Sequence, residues 1–238
     1  MEFKVVHIEE TDSTNRWLKD YSATQPVEDM VVCADYQTAG KGCGANTWES
    51  ERGKNLTFSM LIHPKGIPAN QQFHITEVVS VALCKTLQPY IYNKVEIKWP
   101  NDIYVDDKKI CGILIENRLQ GVEIKDCIIG IGLNVNQTVF KSDAPNPVSI
   151  RQLTGKEIDL NELLNAFLDC FDKECNNKTT CFEYRKMLFR KGKDSLYKTK
   201  TTCFTARLMD VLPDGRLLLV DKEGLEHTYA FKEVQFII

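Results

Sequence analysis

Residues 37–48, QTAGKGCGANTW, combine the residue types that bind a phosphate or another anion. Gly40, Gly42 and Gly44 lie within five positions, and Lys41 stands between the first two. Glycine allows backbone N–H groups to approach a ligand closely, and the lysine adds a positive charge. The order differs from the P-loop G-x-x-x-x-G-K-[ST], because glycine follows Lys41 and no helical pattern comes after it. The sequence therefore predicts a flexible ligand-binding loop that is not a P-loop, or else a plain surface turn.

Residues 98–102, KWPND, place a lysine four positions before a carboxylate. Lys98 lies in the largely apolar segment VEIKWP, where an ammonium group is costly unless it meets an anion. Asp102 can orient this lysine or take up a proton, and Lys109, across the next hairpin, can converge on the same place. These residues suit the binding of a phosphate or a carboxylate, although an ordinary turn after a strand explains the same segment.

The segment TDSTN at 11–15 has two interpretations. Serine, threonine, aspartate and asparagine are preferred N-cap residues, so the run predicts the start of a helix. Ser13, Thr14 and Asn15 also supply hydroxyl and amide groups that can bind the polar head of a ligand.

The run CIIGIGLNVN at 127–136 has the period of a strand. Apolar side chains share one face, and the other face carries Gly130, Gly132, Asn134 and Asn136. Because glycine destabilises a strand, two glycines on one face indicate close approach by a ligand, or else a bulge or tight sheet packing.

Strands and helices of a larger N-terminal part must position these residues. Helices are predicted after the TDSTN segment, over 70–90, over 159–176 with Asp159 as N-cap, and over 182–189. The run from 95 to 135 predicts a meander and not a βαβ repeat. The predicted strands are 5–8, 30–36, 56–62, 95–98, 103–105, 109–120 and 122–135.

After residue 192 the pattern changes to short strands over 198–212, 216–220, 227–230 and 233–237, separated by the turn sequences PDG and KEG. This pattern predicts a small β-barrel of about five strands. We therefore expect two domains, 1–191 and 192–238.

The composition argues against several classes of protein. A net charge of -3 and a pI near 5.9 do not favour binding to DNA or to an anionic membrane, which requires a basic surface. No signal-peptide pattern and no long apolar run is present, so we expect a soluble cytoplasmic protein. Nine cysteines without a C-x-x-C pair do not indicate a metal cluster formed by the protein.

Taken together and in order, these blocks resemble the biotin protein ligase family (biotin–[acetyl-CoA-carboxylase] ligase). The resemblance covers essentially the whole chain, and KWPND…GILIE and GIGLNVN are its most specific blocks. It implies an α+β protein with a class II aminoacyl-tRNA-synthetase-like mixed β-sheet catalytic domain and a C-terminal SH3-like β-barrel. The other matching blocks are TDSTN, ADYQTAGKGCGANTW and GKNLTFSMLI.

The resemblance also implies a reaction. Biotin and Mg-ATP would give biotinyl-5′-adenylate and pyrophosphate, and biotin would then pass to a lysine of a biotin carboxyl carrier domain. ATP, Mg²⁺ and biotin are the expected ligands, with Mg²⁺ arriving on ATP. The carrier domain is the expected protein partner, and the oligomeric state stays open, a homodimer included.

The resemblance assigns site residues. Lys98 and Lys41 would stabilise charge on the phosphates, and Asp102 would help to deprotonate the acceptor lysine. The expected biotin contacts are Ser13, Thr14, Asn15, Gln37, Gly40, Lys41, Lys98 and Gly112. The expected ATP or adenylate contacts are Lys41, Gly42, Cys43, Trp48, Lys98, Asn101, Lys109 and Asn134.

The loop departs from the family pattern G-R-G-R-x-G. Lys41 and Cys43 stand where that pattern has arginine, and Ala45 stands where it has glycine. Because the S-T-N motif already comes at residue 13, we expect a monofunctional member without a preceding DNA-binding domain.

Two alternatives differ in class. A lipoate or octanoate ligase or transferase has the same fold, but such relatives typically carry an R-R-x-G-G-G loop followed by histidine, which this chain lacks. A non-catalytic biotin- or adenylate-binding protein is the other alternative. The presence of Lys98, Asp102 and Gln37 favours the enzyme.

Overall fold

The computed structural model describes residues 3–142, 144 and 146–238. Within these residues, seven strands form a large mixed sheet, five more form a C-terminal antiparallel sheet, and there are five α-helices. In chain order the elements are β1 (Lys4–Thr11), α1 (Thr14–Thr24), β2 (Met30–Gln37), β3 (Leu56–Ile62), α2 (Phe73–Leu87), β4 (Val95–Lys98), β5 (Asp102–Val105), β6 (Lys108–Gln120), β7 (Glu123–Leu133), α3 (Ile150–Thr154), α4 (Leu160–Cys175), α5 (Thr180–Lys186), β8 (Asp194–Lys198), β9 (Cys203–Val211), β10 (Leu217–Asp221), β11 (Glu226–Tyr229) and β12 (Gln235–Phe236).

The large sheet has the order β1-β2-β3-β7-β6-β5-β4. β1 and β2 are parallel and every other neighbouring pair is antiparallel, so β4 to β7 form the predicted meander. Lys98 pairs with Asp102, Asp102 with Gly112, and Gly112 with Gly132. Because directly paired residues lie on the same face of a sheet, these four form one row across β4, β5, β6 and β7.

The two faces of the large sheet are covered by different helices. α2 and α4 pack on one face, against alternate residues such as Phe58 and Ile129. On the opposite face, Leu18 of α1 packs against Leu61 and Ile128. α1 covers only part of this second face, so the row of paired residues is left open beside it.

Most predicted elements are confirmed, with differences at their ends. Asp159 is the N-cap of α4, since its carboxylate accepts hydrogen bonds from the N–H groups of Asn161 at 2.8 Å and Glu162 at 3.0 Å. α2 begins at Phe73 because the residues before it form a short 3-10 turn. The five-residue α3 was not predicted, because so short a helix has little apolar periodicity. α5 ends at Lys186, three residues before the predicted end.

The C-terminal sheet has the order β11-β10-β9-β8-β12. It has five strands, but the predicted single strand over 198–212 was wrong: β8 ends at Lys198 and a turn precedes β9. β11 and β12 are its two edge strands. The described residues therefore form an open antiparallel sheet, where a closed barrel was expected.

The two sheets are in close contact. Nε1 of Trp99 donates a hydrogen bond to the carbonyl of Gly215 at 2.8 Å, and one buried apolar cluster includes side chains of both sheets. This hydrogen bond connects the KWPND motif to the turn between β9 and β10. The division into 1–191 and 192–238 stays a prediction. Among the described helices, none has the length and apolarity needed to traverse a bilayer.

Candidate active site

A cavity of about 600 Å³ opens on the face of the large sheet that carries α1. The row from Lys98 to Gly132 lies along it, and residues of the C-terminal sheet form one wall. Every predicted site residue except Gly40 and Asn134 lines the cavity. These residues are Ser13, Thr14, Asn15, Gln37, Lys41, Gly42, Cys43, Trp48, Lys98, Asn101, Asp102, Lys109 and Gly112.

The start of α1 forms the polar end of the cavity. Ser13 is the N-cap, but its side chain makes no capping hydrogen bond. The backbone N–H and the hydroxyl of Thr14 instead donate to Oε1 of Gln37, at 2.8 and 3.1 Å. Oγ of Ser59 lies 2.7 Å from Thr14 Oγ1, within hydrogen-bond distance. The S-T-N segment therefore starts a helix and also places polar groups in the cavity.

Asn15 is held at the floor of this polar end. Its Oδ1 accepts a hydrogen bond from Ser59 at 2.6 Å, and its Nδ2 donates to Glu116 at 2.7 Å. Gly130 lies directly beneath, where an added Cβ would overlap Oδ1 of Asn15. The glycine on β7 is thus required by a close approach within the protein itself.

Lys98 and Asp102 form the charged end. Asp102 Oδ1 accepts from Lys109 Nζ at 2.6 Å, and Asp102 Oδ2 lies 3.9 Å from Lys98 Nζ. Nζ of Lys98 also lies 5.1 Å from the ring centre of Tyr104 and 5.4 Å from that of Phe236. Burial lowers the pKa of Lys98; the carboxylate of Asp102 opposes this shift and the charge of Lys109 adds to it.

The glycine loop folds back on itself beside the charged end. Trp48 N–H donates to the carbonyl of Gly40 at 2.9 Å, and Gly42 N–H donates to that of Asn46 at 2.8 Å. Gly40 is buried, and a Cβ there would lie 2.6 Å from the Trp48 carbonyl oxygen. The structure therefore places Gly40 behind the loop and does not include it in the cavity lining.

Cys43 is in direct contact with Asn101 in the cavity lining. Nδ2 of Asn101 lies 2.8 Å from Sγ of Cys43 and 2.6 Å from the carbonyl oxygen of Ile113. Burial raises the pKa of the Cys43 thiol, and the charge of Asp102 raises it further. Cys43 is therefore a neutral group where the family pattern has a cation.

Trp48 lies flat against the glycine positions of the row. A Cβ added at Gly132 would overlap its indole, and one added at Gly112 would lie 3.0 Å from Cζ3. Nε1 of the indole is buried and has no hydrogen-bond partner among the described residues. An unpaired buried donor costs free energy, so this N–H fits an acceptor on a bound ligand.

Asn134 does not reach the cavity. β7 ends at Leu133, so the strand alternation assumed for Asn134 does not continue that far. Nδ2 of Asn134 donates to the carbonyl of Val148 at 3.2 Å, and the residue is buried. A role for Asn134 in ligand binding stays a prediction without support from this geometry.

The charge of the cavity is strongly positive. Its described lining contains four lysines, Lys41, Lys98, Lys109 and Lys232, against the one carboxylate of Asp102. The whole chain is acidic, with a net charge of -3, so these cations are gathered locally. An excess of cations in a partly enclosed cavity is suited to an anion with several charges.

A sequence model described as the biotin/lipoate A/B protein ligase family matches residues 7–134. The bifunctional ligase/repressor BirA of Bacillus spizizenii is 30% identical over 229 residues, which span 92% of this chain and 70% of that protein. This chain belongs to the biotin/lipoate A/B protein ligase family. The biotin–[acetyl-CoA-carboxylase] ligase of Paracoccus denitrificans is 29% identical over 146 residues, 59% of this chain and 60% of that protein.

Solved structures of biotin protein ligases have the fold of this family member. The Aquifex aeolicus enzyme, in complex with biotin and ATP, matches with a TM-score of 0.81 at 24% identity, over 98% of each chain. The Leishmania major enzyme, in complex with biotinyl-5-AMP, matches with a TM-score of 0.67 at 21% identity, over 97% of this chain and 100% of that one. The α+β fold expected from the resemblance is confirmed.

Several residues of this ligase-family chain that line the cavity, or that hold the lining residues Thr14 and Asn15, were not predicted as site residues. Ser59 could have been found, because it is a polar residue within the apolar strand LTFSMLI. Glu116 gave no signal, since it resembles any exposed position of an alternating strand. The C-terminal lining residues, among them Phe231 and Lys232, lie in a turn and a short edge strand. No local sequence pattern predicts that these segments pack against the cavity. These additional C-terminal lining residues are Val234, Gln235 and Phe236.

The lowered pKa of Lys98 predicts a pH dependence. A charged Lys98 is the form that attracts an anion, so kcat/KM for the acid substrate should fall as pH rises through a value below 10.5, the usual lysine pKa. The groups facing Lys98 are Asp102, Lys109, Tyr104 and Phe236, and burial raises the pKa of Tyr104, which therefore stays neutral.

Lys98→Arg tests this assignment, because guanidinium stays charged at every accessible pH. The pH profile of adenylate formation should lose its alkaline decrease in that variant. An unchanged alkaline decrease would assign the titration to another group.

Proposed function

We propose that this chain is a biotin protein ligase. It joins biotin and ATP as biotinyl-5′-adenylate with release of pyrophosphate, and then transfers the biotinyl group to a lysine of a biotin carboxyl carrier domain. The observation that carries the proposal is the adjacency of two unlike sites in one cavity: the polar end at Ser13, Thr14 and Asn15, and the lysine-rich end at Lys98. A ligand with a neutral polar head and an acid tail fits the first site and points its tail at the second.

The polar end binds the ureido ring of biotin. This ring presents one carbonyl acceptor and two N–H donors, and hydroxyl and amide side chains can satisfy both kinds of group. Gln37 and Ser59 keep Thr14 and Asn15 in place through the hydrogen bonds described above. Leu114, which is paired with Gly130 on the cavity face, accommodates the alkyl chain of biotin. The carboxylate is then directed toward Lys98.

The charged end and the loop bind the nucleotide. The phosphates are contacted by the ammonium groups of Lys98, Lys109 and Lys41, and the indole of Trp48 stacks with adenine. Mg²⁺ arrives as part of the substrate MgATP. The described lining offers it the single carboxylate of Asp102, already paired with Lys109, and Mg²⁺ is commonly held by substrate phosphates and water.

The first step is an attack by the biotin carboxylate on the α-phosphorus. A bond forms between a carboxylate oxygen and the α-phosphorus. The bond between the α-phosphorus and the oxygen that bridges to the β-phosphate breaks, and pyrophosphate leaves with that electron pair. Negative charge grows on the phosphate oxygens, and Lys98 stabilises it from a position fixed before the reaction. The folded loop keeps water from the anhydride.

The second step is an attack by the amine of the acceptor lysine on the carbonyl of the anhydride. An amide bond forms, AMP leaves, and a proton must be removed from the amine. Asp102 is the carboxylate in the described cavity lining, so we assign proton removal to it.

Biotin is favoured over lipoate as the substrate within this family. The curated relatives described above are named as biotin ligases or as a ligase/repressor, and the TDSTN and KWPND blocks are those of the biotin enzymes. A non-catalytic binding protein is disfavoured because it would not need a carboxylate such as Asp102 placed among the lysines of the cavity.

Biotin-dependent exchange of labelled pyrophosphate into ATP tests the proposal. We expect biotin to drive exchange, and lipoate and octanoate at equal concentration to give none. A biotin carboxyl carrier domain should then become labelled on one lysine, with its Lys→Arg variant as the control. Exchange with lipoate but not biotin would assign the chain to the other branch of the family, and binding without exchange would make it a non-catalytic binder.

A further inference from the structure

Lys232 extends from the C-terminal sheet to the glycine loop. It lies in the turn between β11 and β12, and it lines the cavity together with Phe231. A methyl group added at Gly44 would lie 2.6 Å from its Nζ, so the ammonium group sits directly over the loop backbone. The positive φ of Gly44, 71°, allows the loop to turn beneath it.

The backbone of Lys232 has an unusual conformation. Its φ is 70°, in the left-handed region that residues other than glycine rarely adopt. Such a conformation costs free energy and is found where the surrounding structure requires it, often at functional sites. A glycine would fit this turn with less strain, so the lysine side chain needs a reason other than the turn.

Lys232 is exposed, and no carboxylate of the described residues neutralises its charge. Lys98 and Lys109 both face Asp102, whereas Lys232 makes no ion pair with any carboxylate in the described part of the chain. Its ammonium group lies 5.5 Å from the ring centre of Phe231. A cation in this position is ready to pair with an anion that enters the cavity.

The position of Lys232 matches the place where the loop lacks a charge. Its positive charge acts on the Cys43 thiol and lowers the pKa of that thiol, against the larger effect of burial. The two residues are therefore close, and one is neutral where the family pattern has arginine.

We propose that Lys232 binds the phosphate chain of the nucleotide and replaces, from the C-terminal sheet, the cation that Cys43 does not provide. The proposal rests on the proposed function and extends it, since it assigns part of the nucleotide site to a residue outside the catalytic sheet. The loop then closes against the C-terminal sheet through the ligand, with the phosphates between Lys232 and Lys41.

The test compares three variants of the full chain. Lys232→Gln removes the charge at similar length, Lys232→Arg keeps it, and Lys222→Gln removes a lysine from an exposed turn of the same sheet that does not line the cavity. Titration calorimetry measures the affinity for MgATP and, separately, for inorganic pyrophosphate. Thermal unfolding checks that all variants are folded.

We expect Lys232→Gln to weaken binding of both probes by roughly tenfold or more, as the loss of a charge-assisted hydrogen bond implies. Lys232→Arg and Lys222→Gln should bind as the parent does. Adding Cys43→Arg to Lys232→Gln should restore affinity, because the cation returns on the loop.

Other results overturn the proposal in recognisable ways. Equal affinity of Lys232→Gln and the parent, or an equal loss in Lys222→Gln, would overturn it. If biotin drives exchange normally and Lys232→Gln binds MgATP as the parent does, this inference fails and the proposed function stands. If Lys232→Gln weakens MgATP binding but biotin drives no exchange, the proposed function fails and the inference stands. A parent that binds neither probe overturns both.

Discussion

Lys98→Ala lowers the rate of biotin-dependent pyrophosphate exchange by a factor on the order of 100 to 1,000, as the loss of a fixed transition-state donor does in other enzymes. Lys98 lies on β4 and is the cation of the row. Because its side chain is only 18% exposed, water cannot easily replace it in stabilising charge on the phosphate. The expected loss lies mainly in kcat, because charge on the phosphate grows in the transition state.

The fold should survive this change. Asp102 keeps its ion pair with Lys109 at 2.6 Å, so removal of Lys98 leaves no unpaired carboxylate in the cavity. Lys108→Ala is the matched control, because Lys108 lies on β6 of the same sheet and is exposed. Exchange kinetics of both variants measure the contribution of Lys98 to the reaction, and thermal unfolding shows whether both variants are folded. Exchange by Lys98→Ala at the rate of the Lys108→Ala control would remove Lys98 from the mechanism.

Gly130→Ala and Gly132→Ala should separate the two halves of the site. The same methyl group is added two residues apart on β7, on the same face. At Gly130 it displaces Asn15, which Ser59 and Glu116 hold, and we expect KM for biotin to rise roughly tenfold to hundredfold, as the loss of one or two buried hydrogen bonds implies.

At Gly132 the methyl group displaces the indole of Trp48, so KM for ATP should rise by a similar factor and KM for biotin should change little. Steady-state exchange with each substrate varied in turn gives both constants, and each variant is the control for the other. If both variants raised the same KM, the division of the cavity into a biotin end and a nucleotide end would be wrong.

The local patterns of the sequence predicted the strands of the site well, because period-two alternation and turn residues are local properties. Lys98, Asp102 and Lys109 lie on one meander, and their convergence followed from hairpin spacing. β3 and β7 are neighbours although far apart in the chain, so no local pattern could place Ser59 beside Gly130.

The remaining errors have physical causes. The alternation of β7 was extended to Asn136, but the strand ends at Leu133 and the side chain of Asn134 bonds to the carbonyl of Val148 instead of facing the cavity. For the glycines of β7 the sequence left open close approach by a ligand, a bulge or tight packing, and the structure shows close packing of Asn15 and Trp48 against them. Lys232 lies in a turn of the second sheet, and only tertiary packing brings it to the loop.

The row Lys98, Asp102, Gly112 and Gly132 takes one residue from each of four adjacent strands. A slip of one residue in any of these pairings would send its member to the helix-covered face, since side chains alternate along a strand. Molecules with a slipped strand would be compact and rich in sheet, and they would nevertheless be inactive. In a refolded or heterologously expressed sample, specific activity therefore reports the fraction of molecules with the correct strand register. Circular dichroism alone does not distinguish these molecules, because it measures secondary-structure content.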